Sequence, residues 1–570
     1  MSTPTVEEVI QQPTSFFPRV VGLLKVWIQS ALDEWSLSST LLLMTLLSLW
    51  LISTLWTYDS ELHPMQLARQ STRSEVRQPG ESSLYRAAAL GFNGLVKGLD
   101  IVEEGAPKFS KGRDGDLRDV WQRFAKGAAD GKKSSISTVL GMQKTNVHDT
   151  DALSRQISLV GNHIARNGGT RVAVYLPNSV ELLLTVFACA FTPGLSVTLL
   201  PYNASPVELI AMLRQASIDT VVTAPGVFPF ESISESYSDL KQLIWVVDEG
   251  TSSMNWNNLP EGSSSGITAV TWNDVVSKPA ADAPQLTVEP NTIPGDVSFF
   301  WSSGEMSCFT QRNLASAIAA QLDCIPSSET LSPKDTFVPA DVLTNHFTFV
   351  MTMAALFSNA NVSLNSVAGN EASLTMATQG APATVIVASP EQLVLYHNDG
   401  LSSITGMITK WIHGYRQRKL ENFGVFPGTT GFMADMEISN APDLGTEDTQ
   451  VRVIYVAEKA GQKPVIQSKM LSDVRALTGA RLVHALTSAS AAGSIAQSLW
   501  YDYRVQEGKM AHFGPPSPSI ELVLKDKGDH FTKDYKIEGE ITIKGANVVG
   551  GSANIGAIGK INDDTTLSLL

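Results

Sequence analysis

Cysteine is scarce: Cys189, Cys308 and Cys324 are the three in 570 residues, and no C-x-x-C occurs among them. This excludes a disulfide framework and a cysteine-rich zinc or iron–sulfur site, and it suits a reducing compartment with buried free thiols. Metal spacing is lacking as well. The nine histidines are scattered, with no H-E-x-x-H, so no metal site is expected. Charge is thin, at 17% against a usual value of about 25%. Bases are the scarcer sign: 42 Lys and Arg against 56 Asp and Glu leave a net charge of −14. Nucleic-acid-binding domains carry the opposite balance, so no nucleic-acid partner is expected.

What the chain has instead is an apolar surplus, 43% hydrophobic with a mean hydropathy of +0.03. Much of it lies near the N-terminus. Residues 36–57, SLSSTLLLMTLLSLWLISTLWT, run 22 residues without a charge. At 1.5 Å per residue that is about enough to cross a 30 Å hydrocarbon core. Asp33 and Glu34 close one end, Asp59 and Glu61 the other, and Trp35, Trp56 and Tyr58 fit an interfacial aromatic belt. The run predicts a single transmembrane helix at 36–57, with the membrane as a partner. Ahead of it, in the tail 1–35, residues 16–35 have helical apolar spacing that fits either an interfacial amphipathic helix or one packed on the soluble body. Arg69, Arg73 and Arg77 after the span outnumber Arg19 and Lys25 before it, which predicts a cytosolic main body. The endoplasmic reticulum is the expected membrane, with lipid droplet or peroxisome as alternatives. A glycan on the Asn203 or Asn361 sequon would place the body in the lumen instead.

Residues 58–145 are polar and then glycine-rich, and read as a juxtamembrane connector with little core. From about 146 strands alternate with helices: strands at 171–176, 196–200 and 220–223, helices at 151–167, 179–191 and 205–216. That rhythm predicts an α/β domain over 146–515, with parallel sheets covered by helices. Residues 516–570 read as a small β-rich subdomain. Its strands are expected at 520–524, 537–543 and 566–570, with Gly545, Gly550, Gly551, Gly556 and Gly559 as turns.

Five blocks recur in a fixed order: RVAVYLPNSVELLLTVFACAFTPGLSVTLLPYNASP at 171–206, FWSSGEMSCFTQRNLASA at 300–317, 335–364 with His346, 451–495, and EGEITIKGANVVGGSANIGAIGKI at 538–561. Together they resemble the AMP-forming acyl-CoA synthetases of the adenylate-forming, AMP-binding superfamily; the prelude HPMQLARQSTRSEVRQPGES adds a likeness to the long-chain fatty-acid branch. The resemblance implies the large domain of that fold over about 146–570. It also implies a chemistry in which a carboxylate attacks ATP to form an acyl-adenylate and CoA then displaces AMP.

Against the family's motifs the chain is degenerate. Of the phosphate loop T-S-G-T-T-G-x-P-K-G only Ser302, Ser303 and Gly304 remain, and Glu305 puts a negative charge where polyphosphate would lie. Two like charges about 4 Å apart repel by around 1 kcal/mol even in water. Where the family has Y-G-x-T-E, the chain has His484-Ala485-Leu486-Thr487-Ser488. The resemblance leaves His484 to stack on adenine and Thr487 to donate to phosphate, as a vestigial nucleotide site. Ser488, however, replaces the glutamate that organises magnesium, for which a neutral hydroxyl is a weak ligand. Ala557 replaces the aspartate of T-G-D that holds the ribose. The sequence stops at Leu570, before the family's C-terminal lid domain. Jointly these departures predict a pseudoenzyme with no catalytic residue and no cofactor. Its expected role is ligand binding, scaffolding or regulation in lipid metabolism, with a fatty acyl ligand or a partner protein. The alternative is an active long-chain fatty acid–CoA ligase, which would require ATP, Mg and CoA.

Three further features have two readings each. His346 lies either on the substrate side or as a packed or capping residue. KWIHGYRQRK at 410–419 reads as a solvated helix face or as a contact for anionic headgroups. Gly428-Thr429-Thr430-Gly431 mimics a phosphate loop but lacks the following lysine, and reads as a surface turn. Ser303 is not set in a G-x-S-x-G elbow, so a hydrolase serine is not expected.

Overall fold

The computed structural model describes residues 36–56 and 61–570, apart from 91–93, 104, 108, 129–130, 142–143, 248–265, 280–284, 289–291, 302–303, 370–371, 429–433, 435–437, 439–440, 447, 463–465, 506–509 and 534–535; for 51–56 it describes the backbone alone. The chain divides into two units, 1–60 and 61–570. In the first, the uncharged run forms one 20-residue helix, Leu37–Trp56, with the Ser36 hydroxyl accepting from the Ser39 amide at 3.3 Å. Its described side chains bury nothing: Leu37, Leu42 and Leu49 are 80, 65 and 58% exposed. Those side chains stop at Trp50, about 20 Å along the helix. Among the described residues no helix is long and apolar enough to cross a membrane.

The second unit is α/β, built on three sheets. The first sheet runs, in space, Met306–Phe309, Val297–Phe300, Ser196–Leu199, Arg171–Tyr175, Thr220–Thr223, Gln242–Trp245, Thr268–Thr271. All neighbours are parallel except the Val297–Phe300/Met306–Phe309 hairpin. Parallel strands need covered faces, and the buried runs Val172–Tyr175 and Val197–Leu199 meet that need. Polar residues mark the helix starts. Ser179 caps Val180–Phe191 and Ser205 forms a capping box with Glu208 ahead of Pro206–Ala216.

The second sheet runs Ala491–Gln497, Arg481–Ser488, Val453–Lys459, Val385–Ala388, Thr336–Pro339, Asn361–Leu364, Ile136–Val139, Thr145–His148. It is antiparallel only at its two ends. The helix His346–Phe357, buried at every residue, lies in the largest core cluster beside side chains from both sheets. Asn178, from the PNSVE turn, joins the sheets: its amide donates to the carbonyls of Pro339 and Asp341 at 3.1 and 2.9 Å and accepts from the Leu343 amide at 2.8 Å.

The third sheet, Ser71–Arg73, Tyr85–Ala87, Ile520–Lys525, Ile537–Gly545, Ser552–Ile561, Leu567–Leu569, is antiparallel. Here the structure corrects two expectations. Residues 58–145 are no loose connector. They supply two strands to this sheet, the strand Ile136–Val139 to the second sheet, and the helix Leu117–Lys126, whose Trp121 and Phe124 sit in the main core. Tyr85–Ala87 and Ile136–Val139 also pair with strands hundreds of residues away, at Leu522 and Val362, which no local pattern reveals. Nor are all the late glycines turns. Gly556 and Gly559 lie within the strand Ser552–Ile561, and a Cβ at Gly559 would meet Ile541 at 2.7 Å, so the glycine admits a close neighbour. The cysteines are unpaired, but Cys308 is exposed rather than buried.

Candidate functional site

The hairpin that ends the first sheet stands where the phosphate loop was expected. Its described backbone is short: the Trp301 amide donates to the Glu305 carbonyl and the Gly304 amide to the Trp301 carbonyl, both at 2.8 Å. Gly304 adopts φ +78°, as so tight a turn requires. Glu305 is exposed. Ser302 and Ser303 lie outside the described residues.

Beside this hairpin lies His346, first residue of its helix, with Asn345 as the N-cap. Its ring is 1% exposed, stacked on Trp301 at 5.3 Å and 15°, and edge-on to Phe299 and Phe309. Neither ring nitrogen reaches a hydrogen-bond partner, although the Ser488 carbonyl is near enough to favour the protonated ring slightly. Burial, and then the Lys459 ammonium, push its pKa down to about 3, so the imidazole is neutral. Lys459 Nζ stands 5.3 Å from the Trp301 ring. Asp341, also within reach of the Lys459 charge, accepts from Thr348 Oγ1 at 2.6 Å and Asn345 Nδ2 at 2.8 Å. Burial still raises its carboxyl above the ordinary range, the hydrogen bonds and Lys459 opposing. The structure therefore brings Gly304, Trp301, His346, Lys459 and Ser488 to one place.

The Y-G-x-T-E counterpart is folded inward. His484, 1% exposed, lies in the strand Arg481–Ser488 with Nε2 3.2 Å from Glu458 Oε1 and Nδ1 3.1 Å from the His512 carbonyl. Phe513 stacks on its ring at 4.4 Å, so a protein aromatic holds one of the faces on which adenine was expected to stack. Glu458 also accepts from the Ile466 amide at 3.0 Å. Thr487 Oγ1 donates to the Glu458 carbonyl at 3.0 Å, not outward toward a phosphate. Ser488 is 3% exposed and its hydroxyl lies 3.4 Å from that of Ser490. Ala557 packs into the core of the third sheet. Among the described residues these positions do not fit Mg-ATP: the Thr487 hydroxyl is engaged, Ser488 is buried, and no carboxylate stands at Ser488 or Ala557.

Trp301, Glu458, Lys459 and Phe513 were not singled out from sequence. The signal for two of them was there: an acid and a base, Glu458-Lys459, end the apolar run VIYVA at a carboxyl strand end, where α/β sheets place ligands.

Comparison with known structures agrees with this architecture. A long-chain-fatty-acid-CoA ligase from Archaeoglobus fulgidus superposes with TM-score 0.56 at 14% identity, covering 84% of this chain and 86% of that one. Brucella canis acyl-CoA synthetase gives 0.56 at 13%, covering 80 and 74%, and a benzoate CoA ligase from Burkholderia xenovorans 0.54 at 13%, covering 80 and 79%. The chain has the fold of the AMP-forming CoA ligases of the adenylate-forming superfamily. In sequence it is 22% identical over 536 residues to the uncharacterized protein YHR045W of Saccharomyces cerevisiae, spanning 89% of this chain and 90% of that one. No family model matches.

Proposed function

We propose that this protein is a membrane-anchored, catalytically inactive relative in fold of the acyl-CoA synthetases, serving as a binding or scaffolding protein in lipid metabolism. One observation carries the reading. The positions matching the Y-G-x-T-E motif are buried, with His484 clamped between Glu458 and Phe513, and Trp301 is laid on His346. The likeness to a long-chain fatty-acid ligase supports a fatty acyl group as the ligand class. Anchoring rests on the helix Leu37–Trp56, whose full 20 residues give about 30 Å. The endoplasmic reticulum with a cytosolic body is the corresponding location. The test of inactivity is AMP release from purified protein with Mg-ATP, CoA and a long-chain fatty acid. None above the protein-free blank is expected, and sustained AMP formation would establish the ligase alternative. For the anchor, resistance to alkaline carbonate extraction with Asn203 and Asn361 unglycosylated is expected; release into the supernatant or a glycan on either contradicts it.

A further inference from the structure

The helix Met407–Phe423 is amphipathic in the reverse of the usual sense. Its inward face carries His413, Arg416 and Gln417 along with Ile412 and Leu420. His413 Nε2 lies 3.1 Å from Asp473 Oδ1, and Arg416 donates to the Gly428 carbonyl at 3.0 Å. Its outward face presents Met407, Ile408 and Trp411, at 88, 65 and 62% exposure, with Tyr415 stacked on Trp411 at 5.8 Å and 12°. Polar groups inside and large apolar groups outside is an arrangement that water does not favour. Charge identifies what does. In a chain of net −14, this helix carries Lys410, Arg416, Arg418 and Lys419 against the single acid Glu421, and Lys410 and Arg418 are exposed. Apolar side chains with an adjacent Trp–Tyr pair, bordered by lysine and arginine, match the boundary between acyl chains and anionic headgroups.

We propose that the outward face of Met407–Phe423 is an interfacial contact for an anionic lipid bilayer. It is separate from the Leu37–Trp56 anchor and stands whether or not that helix inserts. The test is hydrogen exchange on the full chain, without vesicles, with phosphatidylcholine vesicles, and with vesicles containing about 30% phosphatidylserine. The amides of 407–423 are expected to slow only with phosphatidylserine. Each basic residue near such a surface is worth about fivefold in binding, so Lys410→Glu with Arg418→Glu is expected to raise the vesicle concentration for half-effect about 25-fold or more. Both positions are exposed, so the variant should keep the wild-type melting temperature. Exchange in 407–423 that ignores phosphatidylserine, or that slows equally in the charge-reversed variant, overturns the proposal. The same data report 37–56 separately, so an anchor that fails to insert shows as fast exchange there and is not confused with failure of this face.

Discussion

His346 is held neutral by its surroundings, and that has a consequence for stability. An unfolded histidine titrates near pH 6.5, whereas the folded ring stays neutral down to about 3. Above pH 6.5 both states are unprotonated and the residue adds no pH dependence. Below it the unfolded chain binds a proton that the folded chain refuses, so stability falls by up to about 1.4 kcal/mol per pH unit until about pH 3. His346→Phe fits the same aromatic nest and removes the titration. Urea unfolding at pH 7 and pH 5 should show the wild type losing about 2 kcal/mol more than H346F across that interval; equal losses would contradict the assignment. The His484–Glu458 pair makes a second prediction at this scale. Removing one partner of a buried pair strands the other, so His484→Ala should cost about 3–5 kcal/mol in denaturant unfolding. Replacing both, as Glu458→Leu with His484→Leu, should cost less than the single change. A single-variant cost below about 1 kcal/mol would show that the pair contributes little to the stability of the folded chain.

Among the helices, Gly161 in Thr150–Arg166 allows a close approach to the end of Val180–Phe191. A Cβ there would meet Thr192 Oγ1 at 2.2 Å and the Ala188 carbonyl at 3.0 Å, at the end of Val180–Phe191. Gly161→Val forces the two apart and should lower stability by about 1–3 kcal/mol. A melting temperature equal to wild type would mean the contact is looser than drawn. These helices and the strands between them were legible in the sequence, because hydrophobic period, capping serines and turn prolines all act within a few residues. Their observed bounds differ from the expected ones by only a residue or so. The strands Ser71–Arg73, Tyr85–Ala87 and Ile136–Val139 were not legible. Each is three or four residues long in a polar or glycine-rich setting, and two of them take partners far along the chain, Leu522 opposite Tyr85 and Val362 opposite Ile136. The site was half legible for a related reason. Motif comparison showed which groups had been lost. What fills the space, Phe513 on His484 and Trp301 on His346, depends on side chains meeting across separate segments.

Over the molecule as a whole, the fold is that of the AMP-forming CoA ligases, and the proposed function has the positions that match their second motif, His484, Thr487 and Ser488, serving as internal support. The second unit is joined to itself across its full length: Gln70 donates to Asp502 at 2.5 Å, and the Ser71 amide and hydroxyl bond Thr565. Under the proposed binding role, an open nucleotide cleft is not required. The measurement that meets this claim most directly is equilibrium titration of the purified protein with Mg-ATP by calorimetry. No saturable binding is predicted up to about 1 mM, the upper end of ordinary enzyme affinities for substrates. Saturable binding in the micromolar range would contradict the account, because it would require the space occupied by Trp301, Phe513 and the Glu458–His484 pair to be open to nucleotide.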